Sequence, residues 1–407
     1  MASKNNFDPL SVEDPPGGGG EEEKEEEEEG GEESTLESRV PVKVLRFHRD
    51  VVTSVQLCFS DRCVLSVSSD VSAVLWDVQT GRPLRTFEGV HSSSISDCAL
   101  VPNSNRMVTV SWDKKIVLWD METGQVLWSR SPAGLLTSCS TSSDGLLLVC
   151  ASDPQNGVYV CQTSSGQTLH ALNGLHRSTI TRCRFDPQSL RVSTVSADRL
   201  LKLWDLRNQR STLSTHSNHS NVVSDCCFTS NGHFLATASW DKTLKLWDLH
   251  GGGFRSQGGT TLRGGHEGSV SCCNFSADDR LLVSGSYDRT VAFWDTASLV
   301  QTLVLKGHRD GVTGVSISSD GTLLASSSKD GTVRLWDVEK MEDVPAVMKK
   351  KMKTEGTGAH IIQCERCAKP FPVSRPLTSE LVSRCVFCRL DSPSRYQPQP
   401  PEAPPLE

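Results

Sequence analysis

Near its C-terminal end the chain reads QCERCAKPFPVSRPLTSELVSRCVFCR, with Cys364-x2-Cys367 separated by seventeen residues from Cys385-x2-Cys388. Two such thiol pairs match the ligand set of a tetrahedral Zn2+ site. The segment is too poor in apolar residues to fold unaided, so bound metal would supply its folding energy. Four protein ligands with no fifth donor nearby leave no open position, which makes the zinc structural rather than catalytic. The expectation is a zinc-ribbon-like module at 360–390 that holds one Zn2+ on Cys364, Cys367, Cys385 and Cys388.

A second set of chemically able residues repeats through the preceding chain. His48, His91, His176, His219, His266 and His308 each stand 28 residues before a Trp-Asp pair, at Trp76, Trp119, Trp204, Trp247, Trp294 and Trp336. Six residues before each tryptophan is an aspartate (Asp70, Asp113, Asp198, Asp241, Asp288, Asp330), and two before that a serine (Ser68, Ser111, Ser196, Ser239, Ser286, Ser328). Asp, His and Ser together could suggest catalysis. An active site needs one such constellation, whereas this chain writes the set six times, so it belongs to a frame. Cys98, Cys183, Cys226 and Cys273 all fall seven residues after a repeat histidine, where the first and last copies have Val55 and Val315. A position that accepts Cys or Val is a small core site, not a nucleophile or ligand.

The elements that must position these residues follow from the same spacing. Trp119 and Trp204 are 85 residues apart, room for a degenerate seventh copy that keeps Asp153, lacks the histidine and carries Cys161-Gln162 in place of Trp-Asp. Seven units of 42–47 residues, each with several short alternating apolar runs, predict an all-β propeller of seven blades over 41–338. Residues 42–47, VKVLRF, look like an outer strand with no inner strands before it, and the unit ending at Trp336-Asp337 has three strands and no fourth. The first strand is therefore expected to complete the last blade, which removes an open edge and brings the ends of the propeller segment together.

This pattern resembles the WD40 repeat family across residues 41–337, with full Gly-His dipeptides at Gly265-His266 and Gly307-His308. The resemblance implies four antiparallel strands per blade, lettered a to d from the central channel outward. It also implies a buried network from turn aspartate to histidine, to strand serine, to the tryptophan ring nitrogen; for the fifth blade these are Asp241, His219, Ser239 and Trp247. In an antiparallel meander the d–a loops and b–c turns share one face. The residue before each turn aspartate then sits on that face, at the channel rim: Ser69, Trp112, Ser152, Ala197, Trp240, Tyr287 and Lys329. Trp112, Trp240 and Tyr287, with Lys329 one blade further, are the candidate partner-binding residues, because aromatic anchors are favoured at interface hot spots.

At 407 residues and 36% hydrophobic, the chain can bury one large core or two ordinary ones, and no window holds the apolar run of a membrane span. The formal charge of −7 is a tail property: residues 1–40 hold 14 acids against 3 bases, and the remainder 35 against 39. PPGGGGEEEKEEEEEGGEE cannot pack a core, so 1–40 is expected to be a disordered acidic tail. Fifteen cysteines without a secretory signal favour an intracellular, reducing location, with cytoplasm and nucleus left open. A linker at 339–359 carries the basic run KKKMK, and 391–407, rich in Pro, Ser and Gln, reads as a second disordered tail. The function expected is a non-enzymatic scaffold, a monomer or subunit of a hetero-complex, that presents propeller faces to protein or peptide partners. The alternative is a nucleic-acid- or chromatin-associated protein that uses the zinc module and the basic linker.

Overall fold

Strand burial follows distance from the centre of each repeat. Ala73–Asp77, a third strand, buries Ala73, Val74, Leu75 and Trp76 in succession, because sheets cover it on both faces. Pro83–Phe87, the fourth, exposes every residue but Phe87. The computed structural model describes residues 40–208, 210–250, 258–262 and 264–339, together with strands His360–Gln363 and Pro370–Val373. Among the described residues there is no helix, and the strands form seven four-stranded antiparallel sheets and one two-stranded pair.

Blade 1 is Val52–Cys58, Cys63–Ser68, Ala73–Asp77 and Pro83–Phe87. Blades 2 to 6 repeat that meander over 95–130, 135–172, 180–216, 223–262 and 270–306. Blade 7 takes Val312–Ile317, Leu323–Ser328 and Thr332–Asp337 from the end of the repeat region and Val42–Arg46 from its start. Val42 lies opposite Trp336 and Arg46 opposite Thr332, so the first strand closes the ring as its sequence predicts.

The core is a series of layers between neighbouring blades. Leu65, Val67 and Phe87 of blade 1 meet Ile95, Cys98, Met107 and Trp119 of blade 2 in one such layer. Leu45, from the closing strand, joins Val52, Val64 and Trp76 of blade 1 in another.

Each innermost strand carries a register shift near its start, between Val52 and Ser54 in blade 1, between Leu136 and Ser138 in blade 3 and at the equivalent place in the other five. A bulge leaves one residue out of the ladder and re-aims its side chain. The seven bulged residues are Thr53, Ser96, Thr137, Thr181, Ser224, Ser271 and Thr313, and all bear a hydroxyl. Each donates to a backbone carbonyl of the next blade, at Ile95, Leu136, Ile180, Val223, Val270, Val312 and Val52, over 2.5–2.7 Å. The result is a closed belt of hydrogen bonds around the channel, kept even in the degenerate third blade.

Candidate functional site

The frame comes first, because it holds the rim. In blade 5, His219 Nδ1 lies 2.9 Å from Asp241 and its Nε2 lies 3.0 Å from the Thr237 hydroxyl, which also accepts the Trp247 ring N–H at 3.0 Å. A neutral imidazole sets every proton: Trp247 donates to Thr237, Thr237 to Nε2, and Nδ1–H to the carboxylate. Burial alone would raise the Asp241 pKa, but hydrogen bonds from His219 and Thr243 outweigh it and hold the group well below the ordinary carboxylate range. Burial is likewise the main cause of the lowered His91 and His308 values, which keep the neutral form that the network requires.

The bridging hydroxyl stands two residues earlier than expected. It is Ser66, Thr109, Thr194, Thr237, Ser284 or Ser326, not the constant serine nearer the aspartate. Ser239 instead accepts the Asp241 N–H at 3.1 Å and donates to the Val222 carbonyl at 2.8 Å, tying the b–c turn to the preceding loop. The physical reason is reach: Thr237 lies deeper in the strand, beside the Trp247 ring, while Ser239 pairs with Val223 at the strand's end. Two blades depart from the pattern. In blade 4 Thr194 still meets His176 at 2.9 Å, but the Trp204 ring N–H has no hydrogen-bond partner among the described residues. In blade 3 Tyr159 donates to the Ala133 carbonyl at 3.0 Å, and Trp128 of blade 2 packs on the layer that contains Cys161.

On the rim above this frame, Trp240 and Tyr287 come together. Their ring centroids are 6.5 Å apart at an interplanar angle of 55°, and Lys329 Nζ stands 4.0 Å from the Tyr287 centroid. Backbone bonds fix the positions: Trp240 N–H donates to Val222, Tyr287 N–H to Ser269 and Lys329 N–H to Gly311. Gly311 must remain a glycine, since an added Cβ would lie 2.6 Å from Tyr287 Cδ1. Trp240 and Tyr287 stay 40% and 38% exposed despite this contact, so the pair is a surface feature and not a hidden part of the core. Trp112 is more exposed, at 53%, and stands apart in blade 2, with no ring contact to the pair among the described residues.

Sequence reading did not anticipate a charged triad inside the channel. Arg182 of blade 4 places Nη1 2.8 Å from Asp97 of blade 2 and Nε 2.8 Å from Asp225 of blade 5. The three occupy the sixth position after the repeat histidine, where other blades have Ser54, Ser138, Cys272 and Gly314; charge at that small-residue position was the available signal. Asp97 also accepts the Ser138 hydroxyl and Cys139 N–H, so backbone and ion pair share the desolvation cost.

The channel-side cysteines behave as core residues. Burial pushes the Cys98 thiol up to about 12 and Cys183 up to about 11, away from the thiolate needed for nucleophilic or metal chemistry. Cys139 belongs to the same series, unseen in sequence because its blade lacks the histidine. No cluster of His, Cys, Asp or Glu among the described residues could hold a metal ion. Cys364, Cys367, Cys385 and Cys388 lie outside the described residues. The strands His360–Gln363 and Pro370–Val373 pair antiparallel, Gln363 opposite Pro370, on either side of the segment that contains Cys364 and Cys367.

A family model described as WD domain, G-beta repeat, matches residues 81–120, 166–205, 208–248, 259–295 and 298–337. The first match runs from the outer strand of blade 1 to the third strand of blade 2, the stagger that strand exchange at the closure demands. WD repeat-containing protein 88 of Homo sapiens is 47% identical over 357 residues, spanning 87% of this chain and 75% of that protein. Target of rapamycin complex subunit LST8 of Saccharomyces cerevisiae is 30% identical over 173 residues, 41% of this chain and 56% of that protein.

Proposed function

The chain belongs to the WD40 repeat family, and from that premise we propose that it is a non-enzymatic scaffold whose d–a/b–c face captures a protein or peptide partner. The observation that carries this reading is the exposed Trp240–Tyr287 pair with Lys329 stacked beside it. Two rings offer dry contact area and one cation offers a partner for a carboxylate, a combination suited to an apolar, partly acidic peptide. Family membership supports the same reading, and the yeast relative is by name a subunit of a complex.

Affinity capture of the intact chain and of a Trp240→Ala/Tyr287→Ala variant, each with and without nuclease and at two salt concentrations, tests it. The variant should melt like the parent and lose its main partner, each lost anchor weakening binding by ~2 kcal/mol or more. Capture of the same partners by the variant would move the site to another surface. Loss of partners on nuclease treatment, with a steep salt dependence, would favour the nucleic-acid alternative.

We further propose that Cys364, Cys367, Cys385 and Cys388 hold one structural Zn2+, supported by their two-pair spacing. Metal analysis of the full chain should find one zinc that a 1–340 truncation lacks. Equal zinc in both would assign the metal elsewhere or to none of these thiols.

A further inference from the structure

Beside the charged triad the channel opens into a cavity of about 440 Å³. Arg182, Asp225 and Cys272 line one part of it, and the exposed Ser143 and Ser230, in a–b connections, line another. This cavity therefore reaches solvent on the face opposite Trp240 and Tyr287, and it is independent of the partner site proposed above.

Its hydrogen-bonding groups are unequally used. The Asp225 carboxylate is occupied by Arg182 Nε and by the N–H groups of Cys226 and Cys273. Asp186 is occupied by the Leu190 and Arg191 N–H groups and by Arg191 Nε. Arg184 is different. Among the described residues its guanidinium makes one hydrogen bond, from Nη1 to the Cys139 carbonyl at 3.2 Å, and no ion pair. The Asn274 side-chain amide, on the wall of the same cavity, makes none. The two carboxylates are occupied while the Arg184 fork keeps donors to spare, so the cavity can take a further anionic acceptor. A guanidinium holds its donors in a planar fork that matches two oxygens of a carboxylate or phosphate.

We infer that this cavity binds a small oxyanion, carboxylate or phosphate, gripped by the Arg184 fork with the Asn274 amide as a further donor. Asp97 and Asp225 balance Arg182 and Arg184 in charge, which favours a ligand with a single oxyanion group over a polyanion.

Isothermal titration of the full chain with inorganic phosphate, and separately with acetate, at low salt tests the inference and tells the two oxyanions apart. One or both should bind saturably at one site per chain. Arg184→Gln, which removes the charge and the fork, should weaken that binding by about tenfold or more. Asn274→Leu keeps the cation but fills the cavity with methyl groups, and should weaken it too, so a misfolded Arg184 variant would not leave the question open. Trp240→Ala should bind as the parent does. Absence of saturable binding by both probes at millimolar concentration overturns the inference, as does equal affinity in the parent and the folded channel variants.

Discussion

A hydroxyl that must accept from one neighbour and donate to another cannot be exchanged for a methyl group without stranding both. Thr237 is in that position, between the Trp247 ring N–H and His219 Nε2. Thr237→Val keeps the shape and should cost about 1–3 kcal/mol, with a buried donor and a buried acceptor left unpaired. Thr237→Ser should be close to neutral, since Ser66, Ser284 and Ser326 already do this work in other blades. Urea denaturation of both variants is the measurement, and equal stability of Thr237→Val and Thr237→Ser would show the bridge to be dispensable. His219, Asp241 and Trp247 were legible in sequence because their types never vary between the six complete copies. The bridge was not, because that position accepts Ser or Thr while the constant Ser239 two residues on has a different task.

At the scale of the strand, the bulge does what the alternation of residues does not announce. Periodicity two locates the inner strands, yet one unpaired residue in each turns its side chain out of the ladder and toward the next blade. The belt hydroxyls stand five residues after the repeat histidine in every complete copy, but Ser and Thr are common in strands and carry no marked signal alone. Their meaning depends on the neighbour blade, which sequence does not display. Thr313 closes the belt onto Val52 across the join between the last blade and the first. Thr313→Val should lower stability by about 1 kcal/mol, the net worth of one such hydrogen bond, while Thr313→Ser should retain it. Guanidinium melts would decide, and a Val variant as stable as the parent would reduce the belt to a geometric coincidence of the bulge.

At the scale of the whole ring, two kinds of long-range contact differ in how far sequence could reveal them. Strand exchange was legible: a surplus strand at 42–47 and a missing strand after Asp337 have one mutual solution. The Asp97–Arg182–Asp225 triad was not, since its members are far apart in sequence and meet only because the inner strands converge on the channel. The closing strand carries more than its five paired positions from Val42 to Arg46. Leu45 is 2% exposed in a layer with blade 1, Lys43 Nζ donates to the Val78 and Gln79 carbonyls, and Phe47 meets Trp76 edge to face at 6.3 Å. Removing residues 1–46 would therefore loosen blade 1 and leave Thr332–Asp337 an unpaired edge, a template for intermolecular pairing. Burial of Leu45 alone is worth about 1.5–3 kcal/mol, so the loss falls on both stability and solubility. Removing residues 1–39, almost without apolar side chains, should leave melting as in the full chain. The 1–46 deletion should aggregate or melt well below it, and a synthetic 40–47 peptide added in trans should recover part of the difference. Light scattering and thermal melts of the two deletions would check this, and a 1–46 deletion that stays monomeric with unchanged melting would mean the ring does not depend on its first strand.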